Sequence, residues 1–267
     1  MGKIIAVATP KGGVGKTTTA FNLAYAFALN GKKTLLIDMD PSGSCSSIFD
    51  DMSFTGGIFD VFTYSRLLKQ VIHPTKQKNL FFIPFNTISY HDESRLTKLT
   101  NNQSLFRNQL KPEAYFYDYV IIDCPPYLVG MTTNSLIASD SVIIPIQPSP
   151  FSLKSIGKMI DHIDFVKKNY NQHLLIEGIL LTFNEKNSTA SFKAKKNLIL
   201  KYPNHIMRTI IPKNTDITNA FFTNQSVISY NVTAKSSIAY MRLAQELLEK
   251  NQASLKSINK HLSEINH

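Results

Sequence analysis

The densest concentration of reactive side chains lies at Lys11-Gly12-Gly13-Val14-Gly15-Lys16-Thr17-Thr18, directly after the apolar run Lys3–Ala8. Glycines let successive backbone N–H groups turn inward on an anion, and a helix opening just after them adds its positive dipole end. In such a loop the backbone from Gly12 to Lys16 cradles phosphate. The Lys16 ammonium reaches the β- and γ-phosphates, the Thr17 hydroxyl ligates Mg²⁺, and Thr18 contacts the α-phosphate. The general G-x-x-x-x-G-K-[ST] signature is met only in its tail, because Pro10 stands where its first glycine would be. The second lysine, Lys11, is too far round the loop to share the work of Lys16. It can point outward, toward phosphates held by a second subunit.

Two apolar runs end in acids, Leu35-Leu36-Ile37-Asp38-Met39-Asp40-Pro41 and Tyr119-Val120-Ile121-Ile122-Asp123-Cys124-Pro125-Pro126. A carboxylate at the C-terminal end of a strand sits in the crevice where open α/β sheets bind ligands. Asp38 and Asp40 have the period-2 spacing that points both the same way while the strand continues. Asp123 has the place of a Walker B acid and would hold Mg²⁺ through water. The guanine-reading N-K-x-D motif is missing, so ATP is expected rather than GTP.

The elements that must position these groups alternate along the chain. Strands are expected at Lys3–Ala8, Thr34–Asp38, Leu80–Pro84, Tyr119–Asp123, Ser141–Ile146, Ile176–Thr182 and Ile206–Ile211. Most are apolar throughout, as strands of a parallel sheet covered on both faces should be. Helices are expected near Thr17–Leu29, Gln103–Lys111, Leu153–Tyr170, Ala190–Lys201 and Ala234–Lys250. The rhythm predicts an α/β fold, a mostly parallel doubly wound sheet flanked by helices. No Gly/Ser linker or repeat divides residues 1–267, so one domain is expected, with a helical tail over about 251–267. The stretch 42–79 reads as irregular.

The loop Lys11–Thr18 resembles the deviant Walker A motif of the ParA/MinD superfamily of P-loop ATPases. Asp38-Met39-Asp40-Pro41 and Asp123-Cys124-Pro125-Pro126 are closer to ParA-type partition ATPases than to MinD. So are the run from Thr132 to Gln147, Ile211-Pro212-Lys213-Asn214, and Ala234–Leu248. The resemblance covers about three-quarters of the chain; residues 50–115 show no match. Pro10 and Ser42 depart from the glutamines usual at those places. The resemblance implies a slow ATPase, with ATP and Mg²⁺ as cofactors, that forms an ATP-dependent sandwich homodimer. It also implies nonspecific binding to double-stranded DNA and stimulation by a ParB-like centromere-binding protein, hence plasmid or chromosome segregation. Lys11 then bridges two ATP molecules, Asp40 positions the attacking water, and Asp38 supports the metal shell. Pro212 and Asn214 lie at the adenine edge, with Asn184 beside them.

Composition bears on partners. The 29 Lys and Arg against 19 Asp and Glu give a net charge of +10 over 267 residues, of which residues 151–267 carry +8. Lys186, Lys193, Lys195, Lys196, Lys201, Arg208 and Lys213 supply much of that excess, and Lys186 and Lys213 fall where family members carry DNA-contacting basic residues. Lysines contact phosphate without reading bases, so such binding is nonspecific and steeply salt-dependent. Two cysteines with no C-x-x-C spacing, no signal segment and no apolar run near 20 residues point to a cytoplasmic protein, associated with the nucleoid if DNA is its partner. Membrane association is not expected. The apolar spacing Leu255, Ile258, Leu262, Ile265 nonetheless keeps a MinD-like role at a membrane or protein assembly as an alternative, alongside a nucleotide-gated regulatory module.

Overall fold

The structure, a computed structural model, describes residues 2–86, 89–184 and 189–265. Its centre is an eight-stranded sheet. In chain order the strands are β1 (Lys3–Val7), β2 (Thr34–Asp38), β3 (His73–Pro74), β4 (Leu80–Ile83), β5 (Tyr119–Asp123), β6 (Ser141–Ile146), β7 (Leu175–Asn184) and β8 (Ile206–Pro212). Across the sheet the order is β3-β4-β2-β5-β1-β6-β7-β8, parallel except for the two-residue edge strand β3. All the expected strands are present.

Successive strand residues feed opposite layers. Ile4 and Ala6 enter one core and Ile5 and Val7 the other; Leu35 and Ile37 join the first and Leu36 the second. This double burial is why the strands are apolar at every position. One layer contains α1 (Lys16–Leu29) and α10 (Lys235–Ile265), with Leu23, Phe27, Tyr240 and Leu243 fully buried between them and the sheet. The other contains α4 (Leu105–Glu113), α5 (Met131–Ala138) and α6 (Ser152–Asn169), through Leu110, Leu136, Ile156 and Ile163.

The stretch read as irregular holds 3-10 turns at Ser46–Phe49 and Leu68–Val71 and the short helix α2 (Ile58–Phe62), which buries Ile58, Val61 and Phe62. Four further helices were not expected as such: α3 (Tyr90–Leu99), α5, α8 (Thr215–Phe222) and α9 (Val227–Tyr230). The helix expected over Ala234–Lys250 and the expected helical tail form one helix, since α10 continues to Ile265. No glycine or proline lies between Lys250 and Ile265 to stop it. Helix α7 (Thr189–Lys201) links the last two strands.

Candidate functional site

Strand β1 lies between β5 and β6, so the loop that follows it opens at the carboxyl edge where the chain winds in both directions. Gly13 and Gly15 have φ of +68° and +84°, a backbone only glycine adopts without strain. Gly15 is the N-cap of α1 and brings no side-chain cap, and the first turn has no acidic residue. The first-turn N–H groups therefore face outward as an anion site.

The two lysines of the loop separate. Lys16 is buried and its Nζ donates to the Lys11 carbonyl at 3.1 Å. Burial lowers its pKa, opposed by the nearby Asp123 and Asp40 carboxylates. The Lys11 Nζ instead reaches out to the Ser149 Oγ at 3.4 Å, on the loop that follows β6.

Asp38 and Asp123 end neighbouring strands in direct register, and both are fully buried. Asp38 accepts hydrogen bonds from the Asp40 N–H at 3.0 Å, the Ser46 N–H at 2.9 Å and the Ser46 hydroxyl at 2.7 Å. Burial still pushes its pKa up to about 7. Asp123 is the opposite case. Neither of its oxygens has a hydrogen-bond partner among the described residues. Burial, and then the Asp38 carboxylate, raise it well above the usual carboxylate range, and the Thr17 hydroxyl beside it offsets only part of this.

An unpartnered, buried carboxylate facing a threonine hydroxyl and a buried lysine is what a cation site requires. Among the described residues no three His, Cys, Asp or Glu side chains converge on one point. A buried carboxylate beside a threonine hydroxyl fits Mg²⁺, which keeps waters and takes phosphate oxygens and does not need an all-protein cage. Asp38 has both oxygens engaged within its own loop, which fixes the carboxylate at the end of β2. Asp40 is partly exposed, accepts from the Ser42 N–H at 3.0 Å, and lines a cleft of about 650 Å³ with Pro126, Tyr127, Gly130 and the end of α3.

The residues expected at the adenine edge come together only in part. Asn184 and Pro212 are register partners at the ends of β7 and β8. Asn214 is the N-cap of α8: its Oδ1 accepts from the Asp216 N–H at 2.8 Å, and its Nδ2 donates to the Ser236 Oγ at 3.1 Å. Its side chain is thus committed to the fold.

The described basic residues lie on more than one side of α7. Lys186 lies outside the described residues. Lys193 lines a hollow beside Ser149 and Leu153, whereas Lys195, on the other side of α7, lines a cleft of about 680 Å³ with Asn184, Lys235 and Arg242. Lys196, Lys201 and Lys213 are exposed. Arg208 was expected to meet DNA, but its guanidinium pairs with Glu249 at 3.1 Å and lies 3.9 Å from Glu246. Two acids one turn apart on α10 pair with it, while the guanidinium itself stays largely exposed. Lys235 and Arg242 were overlooked, because their helix reads as an amphipathic packing element. Ser46 was overlooked too; the signal for it was a hydroxyl residue in the loop just after Asp38 and Asp40.

Comparison with known proteins decides the family. A family model described as an AAA domain matches residues 2–176. The chain is 34% identical over 253 residues to the chromosome partitioning protein ParA of Myxococcus xanthus, covering 94% of this chain and 89% of that one. It is 32% identical over 249 residues to the sporulation initiation inhibitor protein Soj of Bacillus subtilis, covering 92% and 98%. The chain belongs to the ParA/Soj family of P-loop ATPases. Among solved structures, a cobyrinic acid a,c-diamide synthase from Mycobacterium smegmatis, with bound ATP analog and magnesium, matches with a TM-score of 0.80 at 25% identity over 95% of this chain and 97% of that one. Among the described residues no helix is long and apolar enough to cross a membrane.

Proposed function

We propose that this ParA/Soj-family ATPase forms an ATP-bound sandwich dimer that binds double-stranded DNA nonspecifically. Hydrolysis stimulated by a ParB-like partner then releases the dimer, so that a plasmid or chromosome is positioned on the nucleoid in the cytoplasm. The observation that supports this reading is that the two lysines of one loop take separate positions. Lys16 is buried within reach of the Asp123 and Asp40 carboxylates, while the half-buried Lys11 reaches the Ser149 hydroxyl after β6.

The Gly12–Lys16 backbone and the opening turn of α1 would bind the phosphates, with the Lys16 ammonium as the fixed counter-charge. Thr17 directly and Asp123 through water would hold Mg²⁺, which when bound neutralises phosphate charge. Asp40, in the open cleft, would orient the attacking water. Lys11 of a second copy would stabilise charge that develops in the transition state. Lys193, Lys196 and Lys213 give exposed phosphate contacts without base readout. Asn184 and Pro212 would flank the base.

The test is fluorescence anisotropy with a random-sequence duplex, with Mg-ATP, with Mg-ADP and without nucleotide, over a range of salt. ATP-dependent binding is expected. Replacing Lys193, Lys196 and Lys213 by Ala should weaken it and flatten the slope of log K against log salt by about one for each DNA phosphate no longer neutralised. Binding that is indifferent to ATP, or an unchanged slope in the triple variant, counts against this reading.

A further inference from the structure

Strand β7 is apolar through Ile179-Leu180-Leu181 and then carries Thr182, which is buried. The hydroxyl does not serve the sheet. It donates to the Val14 carbonyl at 2.9 Å, across a separation of 168 residues. The next residue, Phe183, has φ of +48°, a left-handed backbone that a bulky side chain rarely takes. Its ring lies against the loop, with Cε2 3.2 Å and Cζ 3.4 Å from where a β-carbon on Gly15 would be. The β7–β8 register is irregular between Leu181 and Asn184, which frees this end of the strand to turn toward the loop. Backbone strain of this kind persists only where its surroundings hold it.

The Val14–Gly15 peptide gives these contacts a consequence. In a trans peptide the C=O and the following N–H point in opposite directions. No cis peptide is present among the described residues, so holding the Val14 carbonyl on Thr182 turns the Gly15 N–H away from β7. That N–H has no acceptor among the described residues. It sits at the mouth of α1, where the orphan N–H groups of the first turn gather.

We propose that Thr182 is a positioning residue for nucleotide binding. Its hydroxyl, supported by the Phe183 ring beneath Gly15, fixes the Val14–Gly15 peptide so that the Gly15 N–H is aimed at phosphate before nucleotide arrives. The free loop is therefore pre-set rather than ordered on binding, and nucleotide affinity carries the benefit. Turnover at saturation does not, because the contact is the same in the ground and transition states.

This rests on Lys11–Thr18 being the nucleotide site, and the experiment separates the two claims. Mg-ADP binding is measured by calorimetry for wild type, Thr182→Val and Thr182→Ser, with the melting temperature of each free protein and steady-state ATP turnover. Thr182→Val keeps the shape and loses the hydroxyl. It should bind Mg-ADP about tenfold more weakly, or about 1.4 kcal/mol. The KM for ATP should rise in step with kcat unchanged, and the free protein should melt a few degrees lower because the Val14 carbonyl loses its donor. Thr182→Ser should restore wild-type binding. If Thr182→Val does not fold, Thr182→Cys, a weak donor of similar size, should give an intermediate loss. Wild-type affinity in Thr182→Val or Thr182→Cys, or a Thr182→Ser loss as large as that of Val, overturns the proposal. A wild-type protein that does not bind Mg-ADP overturns the site itself.

Discussion

Replacing Asp123 by Asn should stabilise the nucleotide-free protein while removing its response to Mg-nucleotide. Asp123 has no hydrogen-bond partner for either oxygen among the described residues and stands in register with the buried Asp38. Its pKa is raised well above the normal carboxylate range by burial and by Asp38. An acid whose folded pKa exceeds its unfolded value disfavours folding. The penalty is absent below the unfolded pKa of about 3.9, grows as pH rises, and saturates above the folded pKa. A buried polar group left without a partner costs about 1–3 kcal/mol, and more when it is charged. Asn replaces a neutral carboxylic acid of similar size, so the cost of burying a polar group is common to both.

The free Asp123→Asn protein should therefore melt higher than wild type at pH 7.5, by about 2–4 °C for each kcal/mol relieved. The gap should close as pH falls toward 4, because the wild type recovers stability as the acid is protonated in both states. Mg-ADP should raise the melting temperature of the wild type and not of the variant. Thermal scans at several pH values, with and without Mg-ADP, read all of this. A variant that melts at or below the wild-type temperature at pH 7.5 would falsify the claim that an unpaired carboxylate is held in reserve for a cation.

Two further outcomes follow from side chains whose partners are now known. Asn214→Ala should cost about 1 kcal/mol of stability through loss of the α8 cap. Selectivity for ATP over GTP should hardly change, and a large loss of selectivity would return Asn214 to the base edge. Ser46 joins the ends of β2 and β4, because its hydroxyl donates to Asp38 and accepts from the Phe85 N–H at 3.0 Å. Ser46→Ala should lower kcat about tenfold with KM for ATP nearly unchanged, and Ser46→Thr should retain activity. A Ser46→Ala enzyme with wild-type kcat would remove Ser46 from the support of Asp40.

The parts of this molecule that are legible in its sequence are those where one local requirement dominates. Strands covered on both faces must be apolar throughout, so β1, β2, β5 and β6 read directly. A phosphate loop must have glycines and lysine between strand and helix, so Lys11–Thr18 reads directly as well. Helix α5 was hidden for the opposite reason. All of Met131–Ala138 is buried, so no polar face gives it a period, and its hydroxyls are satisfied locally. Thr133 donates to the Leu128 carbonyl at 3.0 Å and Ser135 to that of Met131 at 2.8 Å. Thr182 and Ser46 were hidden because their partners are 168 and 8 residues away, and residue type alone does not say where a hydroxyl donates. Arg208 shows the converse: its charge was visible, and the two α10 acids that hold it became visible only once β8 and α10 were packed together.

If one loop serves two subunits, Lys16 binds nucleotide in its own chain, Lys11 acts on a second copy, and Asp40 drives hydrolysis. Light scattering after size exclusion in Mg-ATP tests it most directly, on a chain of 30.1 kDa. Asp40→Ala should run as a stable dimer of twice that mass and hydrolyse almost no ATP, and adding Lys11→Ala should return it to the monomer with nucleotide still bound. An Asp40→Ala protein that turns over ATP at the wild-type rate, or a dimer that survives loss of Lys11, would contradict the account.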